Sequence, residues 1–155
     1  MISVIIVNYN RKDLLKQCLD SLYGQSFKNI EIIVVDNASE DDSVAMVSAF
    51  YPNVKLIRNT VNALFCKAQN QGIGISRGDF VLSLNSDVTL DKDYLKETLS
   101  SAGLDSGIGM VSGKILRMDN KTIDSTGLFL GRNRKAVERG YGKIDKGQYL
   151  SLIHI

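Results

Sequence analysis

Apolar residues fall into short blocks of two kinds, and the two kinds alternate along the chain. Residues 2–7, "ISVIIV", form a nearly continuous β-branched run. Such a run suits a strand buried on both faces, as in a parallel sheet. "NYNRK" breaks it. From Asp13 the apolar positions Leu14, Leu15, Cys18, Leu19 and Leu22 recur at helical spacing, with Gly24 as the stop. "IEIIVV" at 30–35 predicts a second strand. After it, Ser39 with Asp42 resembles a capping box that opens a helix running to about Phe50, closed by Pro52. "VKLIRN" predicts a third strand, residues 63–76 a helix, and "GDFVLSL" a fourth strand whose Phe80, Val81, Leu82 and Leu84 read as buried. Asp91 or a neighbour opens the helix "KDYLKETLSSAG". "IGMVSGKIL" predicts a fifth strand, bent at Gly113.

Strands and helices joined by short connections imply right-handed βαβ units and an α/β fold with a mainly parallel sheet flanked by helices. The texture changes after about residue 118, where glycines, charges and short apolar pieces predict a hairpin or an irregular flap. The chain therefore reads as an α/β core over 1–118, a second region over 119–150 and a tail over 151–155.

Three strand ends are unusually polar: Asn8-Tyr9-Asn10, Asp36-Asn37 and Asn85-Ser86-Asp87. Each alone fits a turn. In an open α/β sheet, however, ligands collect outside the carboxyl ends of the strands, and all three ends would share that edge. No GxxxxGK[ST] phosphate loop is present, and "GIGISRG" at 72–78 precedes a strand instead of following one. Its glycines read as helix-end and turn residues. A diphosphate ligand would then need a cation, and Mg²⁺ or Mn²⁺ favours carboxylate and phosphate oxygens. Asp87 is the candidate metal ligand and Asn85 a candidate ribose contact. The spacing alone leaves the turn reading open, because such pairs are common by chance.

Composition narrows this a little. The 155 residues carry a net charge of +2, too small for a nucleic-acid partner. The cluster Arg132, Arg134, Lys135 and Arg139 reads as a solvated loop. Cys18 and Cys66 lack metal spacing and sit in apolar patterns, so both read as buried free thiols in a reducing compartment. No leader or membrane span is visible, which makes the cytoplasm the default location. A peripheral contact of the full-length protein with the inner face of the membrane stays open.

Four separated stretches, "SVIIVNYNRKDLLKQCLDSL", "IEIIVVDNASEDDS", "NQGIGISRGDFVLSLNSDV" and "YLKE", resemble in order and spacing a family 2 glycosyltransferase and its GT-A nucleotide-diphospho-sugar domain. "TIDSTGLFL" followed by "RGYGKIDKGQY" is similar to the rhamnosyltransferase-like branch. The resemblance covers residues 1–150. It implies that Tyr9 stacks on or near the nucleobase, that Asn10 belongs to the same nucleotide-sugar site, and that Asp36 and Asn37 line the base pocket. Asn85-Ser86-Asp87 would be the local form of the D-x-D motif, with Asp87 on a Mg²⁺ or Mn²⁺ ion. Lys67 and Asn70 match positions facing the nucleotide, although Leu64 stands where relatives usually have Gly. The implied donor is a dTDP- or UDP-linked sugar, rhamnose at the branch level. The implied acceptor is a carbohydrate or lipid-linked hydroxyl in envelope polysaccharide assembly, and the reaction is a hexosyl transfer with inversion.

That reaction needs a carboxylate general base near the acceptor oxygen. The family carries it in a Glu-Asp motif further along, and nothing after Asp124 matches, so no catalytic residue is assigned within these 155 positions. "GQY" is followed by "LSLIHI" where relatives continue into an acceptor half. The expectation is an N-terminal portion that binds donor but transfers little alone, with 151–155 foreign to the gene and His154 without a role. The alternative is a non-catalytic nucleotide-binding or interaction module. A nucleotidyltransferase would need glycines in "NYNRKD", and a phosphoacceptor receiver would need acids at Asn8 and Asn10.

Overall fold

The run that opens the chain forms β1 (Ile2–Asn8), and "IEIIVV" with Asp36 forms β2 (Ile30–Asp36). Both are buried along most of their length, as strands lacking a polar side require. β3 (Lys55–Arg58) and β4 (Phe80–Asn85) complete a parallel sheet in the order β3-β2-β1-β4. The crossovers are α1 (Lys12–Tyr23), α2 (Ser43–Phe50) and α3 (Leu64–Gly74), and α4 (Tyr94–Ala102) follows β4. This is the helix-flanked, mainly parallel α/β arrangement that the alternation predicts. α1 buries Leu15, Cys18, Leu19 and Leu22 and ends at Gly24. On one face of the sheet Ile5, Ile33 and Val35 pack with Ala68 of α3.

The structure is a computed structural model that describes residues 1–132 and 134–149. It divides into two units, Met1–Leu95 and a second that starts at Lys96. In the second, β5 (Ile115–Leu116) pairs antiparallel with β6 (Ile123–Ser125), and β7 (Leu128–Leu130) with β8 (Ala136–Glu138). Lys114 and Asp145 form an ion pair there. The tail 151–155, with His154, lies outside the described residues. Among the described residues no helix is long and apolar enough to cross a membrane.

Five expectations are corrected. "IGMVSGKIL" does not form a fifth parallel strand. Only Ile115 and Leu116 pair, and they pair locally, because Asp119 caps a tight turn by accepting from Lys121 N, Thr122 N and Thr122 Oγ1. Phe80 and Val81 are 47% and 45% exposed, since β4 has one strand neighbour and stands at the sheet edge. Ser39 and Asp42 do not form a capping box. The α2 cap residue Asp42 sits at φ 61° without a side-chain cap, while Ser39 is held by Asp36. Cys66 is exposed and only Cys18 is buried, because the buried stripe of α3 is Ala68, Gln69 and Gly72. Gly72 is a packing residue inside α3, not a turn residue: a Cβ there would stand 2.4 Å from Ile5 Cγ2.

The amino edge of the sheet is tied by charge. Glu31 accepts from Lys55 Nζ at 2.5 Å, Ser3 Oγ at 2.5 Å and Arg77 N. Burial by itself would raise the Glu31 carboxyl, but the bonds from Lys55, Ser3 and Arg77 N outweigh it and hold the group at about 2. Gly78 N donates to Ser3 Oγ at 2.8 Å, and the Met1 ammonium pairs with Asp79 at 2.7 Å.

Candidate functional site

The strand register brings the three polar ends to one edge. Asn8 is paired with Asp36 across β1 and β2, and Val7 with Asn85 across β1 and β4. At the end of β2 the Asp36 carboxylate takes the Ser39 backbone N–H outside the ladder, and at the end of β1 the Asn8 amide donates to the Asp36 and Ser39 side chains.

Asp36 is 2% exposed, and its carboxylate is fully engaged. It accepts from Asn8 Nδ2 at 2.9 Å, Ser39 N at 2.8 Å and Ser39 Oγ at 2.6 Å. Asn8 Nδ2 also reaches Ser39 Oγ, and that same hydroxyl accepts from Asn10 N at 2.9 Å. Asn10 sits at φ 52° and takes Glu40 N on its Oδ1 at 2.8 Å. The loops after β1 and β2 are therefore stitched into one rim. Asp41 extends it, accepting from Ser43 and from Lys12 N. Its burial favours the neutral form, yet these bonds hold the carboxyl below its usual range.

Asn37 is equally buried and ties the rim to the other side of the sheet. Its Oδ1 accepts from Asn59 Nδ2 at 2.8 Å and Ala63 N at 3.4 Å, and its Nδ2 donates to Leu64 O at 3.4 Å. Asn59 and Gln71 exchange a reciprocal amide pair, both bonds 2.9 Å. Leu64 itself adopts φ 63° and is 74% exposed. The loop thus keeps the left-handed turn that a glycine would take freely, at a cost of about 1 kcal/mol for a residue bearing a Cβ.

The side chains left facing solvent are different ones. Tyr9 is 48% exposed, and Lys67, Asn70, Asn85 and Asp87 are exposed too, as is the rim residue Asn10, while Ser86 is buried. Among the described residues no cation forms an ion pair with Asp87. Its charge reaches α1 nonetheless: burial first, and the Asp87 carboxylate second, push the Cys18 thiol up to about 12. That keeps Cys18 protonated and unreactive. A cleft of about 330 Å³ lies beside the rim, lined by Asn10, Arg11, Lys12, Asp13, Leu14 and Asp41. A cavity of about 490 Å³ in the second unit is lined by Phe129, Arg139, Tyr141 and Tyr149 among others, and none of the nine predicted site residues lines it.

So the predicted residues separate. Asp36, Asn37 and Asn10 build the rim through internal bonds, Tyr9, Lys67, Asn70, Asn85 and Asp87 are open, and Ser86 is buried between the last two. Sequence reasoning missed Asn8, Ser39, Asn59 and Gln71 as rim builders. Asn8 and Ser39 lie in motifs the sequence singles out, but Asn8 finds its partners 28 and 31 positions along the chain, which spacing does not reveal.

An open parallel sheet with polar carboxyl ends and exposed acids is the layout of nucleotide-handling α/β domains, and comparison with solved structures makes it specific. The mannosyltransferase PcManGT from Pyrobaculum calidifontis, solved in complex with GDP-Man and Mn²⁺, matches with TM-score 0.65 and 25% identity over 70% of this chain and 33% of that one. S. aureus TarS 1–349 in complex with UDP matches with TM-score 0.62 and 26% identity over 72% and 38%. The fold is GT-A. The family model for Glycosyl transferase family 2 matches residues 3–139, and the chain belongs to that family. A curated relative, the poly(ribitol-phosphate) beta-glucosyltransferase of Bacillus spizizenii, is 39% identical over 100 residues, 61% of this chain and 16% of the relative. The chain spans well under half the length of the curated relatives compared with it, 14% of one and 41% of another.

Proposed function

We propose that this chain binds the nucleotide-diphospho-sugar donor of a family 2 glycosyltransferase at the carboxyl edge of its sheet. The observation that carries the reading is the division of that edge into a polar rim whose side chains bond one another and an exposed set containing Asp87. Tyr9, exposed just past β1, would offer its ring to the nucleobase. Asn37 has its side chain engaged, so the base pocket owes its shape, more than its direct contacts, to Asp36 and Asn37.

Among the described residues no group of three His, Cys, Asp or Glu side chains could hold a metal ion. The oxygens on offer are the Asp87 carboxylate and the Asn85 amide. That set fits Mg²⁺ or Mn²⁺ taking one carboxylate and completing its shell with donor phosphates and water, and it does not fit a closed protein cage. When bound, the ion would neutralise charge on the departing diphosphate. Lys67 and Asn70, exposed on α3, would add charge and hydrogen bonds to that end of the donor. In the parent enzyme the product is an inverted glycoside on an acceptor hydroxyl. The stretch "TIDSTGLFL" makes dTDP-rhamnose the first sugar donor to try.

Titrating the chain with UDP, dTDP and GDP in MnCl₂ tests this reading. Saturable binding of at least one is expected. Heat changes indistinguishable from dilution for all three, up to millimolar concentration, would sink it.

A further inference from the structure

Gln69 breaks the pattern of α3. It is 8% exposed, yet neither its Nε2 nor its Oε1 has a hydrogen-bond partner among the described residues. A buried amide left with both ends unpaired is costly, because each end loses water and gains nothing. Leu or Ala would fit a helix–sheet contact without that cost.

Its direction follows from its neighbours. Ala68 packs on Ile5, Ile33 and Val35, and Gly72 abuts Ile5, so this side of α3 faces the sheet. Gln71 turns to the β3 flank, where it pairs with Asn59. Residues two apart on a helix point about 200° from one another, so Gln69 turns to the opposite flank, that of β4. On β4 the residues in register with Ile5 and Val7 are Ser83 and Asn85, which puts both on the sheet face that α3 covers. Both are exposed. An unpartnered amide thus stands on the same flank as an open hydroxyl and an open amide, next to the end of β4 that carries Asp87.

We propose that Gln69 is a further donor-binding residue, which together with Asn85 takes a hydroxyl pair of a nucleotide sugar. The assignment rests on the donor-site reading above. A carboxamide offers one acceptor and one two-proton donor side by side, and a vicinal diol returns one of each. The diol belongs either to the ribose or to the transferred sugar, and the chemistry is the same. Binding satisfies a group that the ligand-free protein leaves unpaired.

The test uses the full 155-residue chain with Gln69→Met, which keeps the volume and removes both polar ends, and Gln69→Glu, which keeps the shape but exchanges the donor for a charge. Each is titrated in MnCl₂ with UDP, dTDP and GDP and with a hexose ester of each, and is melted without ligand. Gln69→Met should melt at or above the wild-type temperature and bind the hexose ester about tenfold more weakly, the factor set by one lost amide contact. Gln69→Glu should bind more weakly still. Weakening of diphosphate and ester alike assigns the ribose, and weakening of the ester alone assigns the sugar. A Gln69→Met protein that melts several degrees lower with unchanged affinity overturns the proposal, since the amide then has its partner within the protein. Wild-type protein that binds none of the nucleotides overturns the donor-site reading itself. Wild-type binding with both variants equally tight overturns only the role of Gln69.

Discussion

The two edges of one sheet solve opposite problems. At the amino edge, Glu31, Lys55, Ser3 and the Met1–Asp79 pair bring charges and hydroxyls into mutual contact. At the carboxyl edge, neutral amides and the carboxylates Asp36 and Asp41 form the rim, and the carboxylate of Asp87 stands outside it with no cation paired to it among the described residues. The first arrangement can only hold the fold. The second holds its own shape and has polar groups to spare. In an open parallel sheet, that surplus is where a ligand is expected.

The contrast can be broken from either end. The largest stability effect should come from Asp36→Ala, which strands Asn8 and Ser39 inside the rim and costs about 3 kcal/mol, read from urea unfolding. Loss below about 1 kcal/mol would mean that the rim is not a unit. Glu31→Gln at the other edge should cost about 2 kcal/mol at neutral pH, since it weakens the Lys55 pair. Its pH signature has a defined sign. The native carboxyl is held at about 2, below its unfolded value of 4.5, so its stabilisation is present above about 4.5 and lost as pH falls toward 2. Glu31→Gln should flatten stability against pH within that window and leave nucleotide affinity alone. The smallest effect should be Leu64→Gly, which relieves the φ of 63° and raises stability by about 1 kcal/mol or less. A lowered melting temperature would show that the Leu64 side chain packs usefully.

Much of this was legible in residue order. β1, β2, α1 and the polar strand ends follow from period and punctuation, which are local properties. What escaped the sequence depends partly on residues far apart and partly on which of several local bonds wins. Ser39 has the spacing of a helix cap, yet Asp36 and Asn8 claim it, the latter 31 positions away. Phe80 and Val81 read as core because an apolar run cannot say whether its strand is central or at an edge. "IGMVSGKIL" has a strand's composition, but the Asp119 turn pairs its end locally. Gly72 looks like punctuation until Ile5 is seen against it. Among the site residues, sequence singled out Asp36, Asn37 and Asp87 alike, and only their bonding separates rim from open carboxylate.

The central claim is that the carboxyl edge holds a donor diphosphate through a cation on Asp87. Isothermal titration of the nucleoside diphosphate that binds best, with MnCl₂ and then with EDTA, for wild type and Asp87→Asn, tests it directly. The account predicts wild-type affinity that falls about 100-fold in EDTA, and an Asp87→Asn protein that melts normally but binds weakly in both buffers, because the lost carboxylate removes the ion's one protein charge. Equal affinity of wild type in MnCl₂ and EDTA, unchanged by Asp87→Asn, would contradict it.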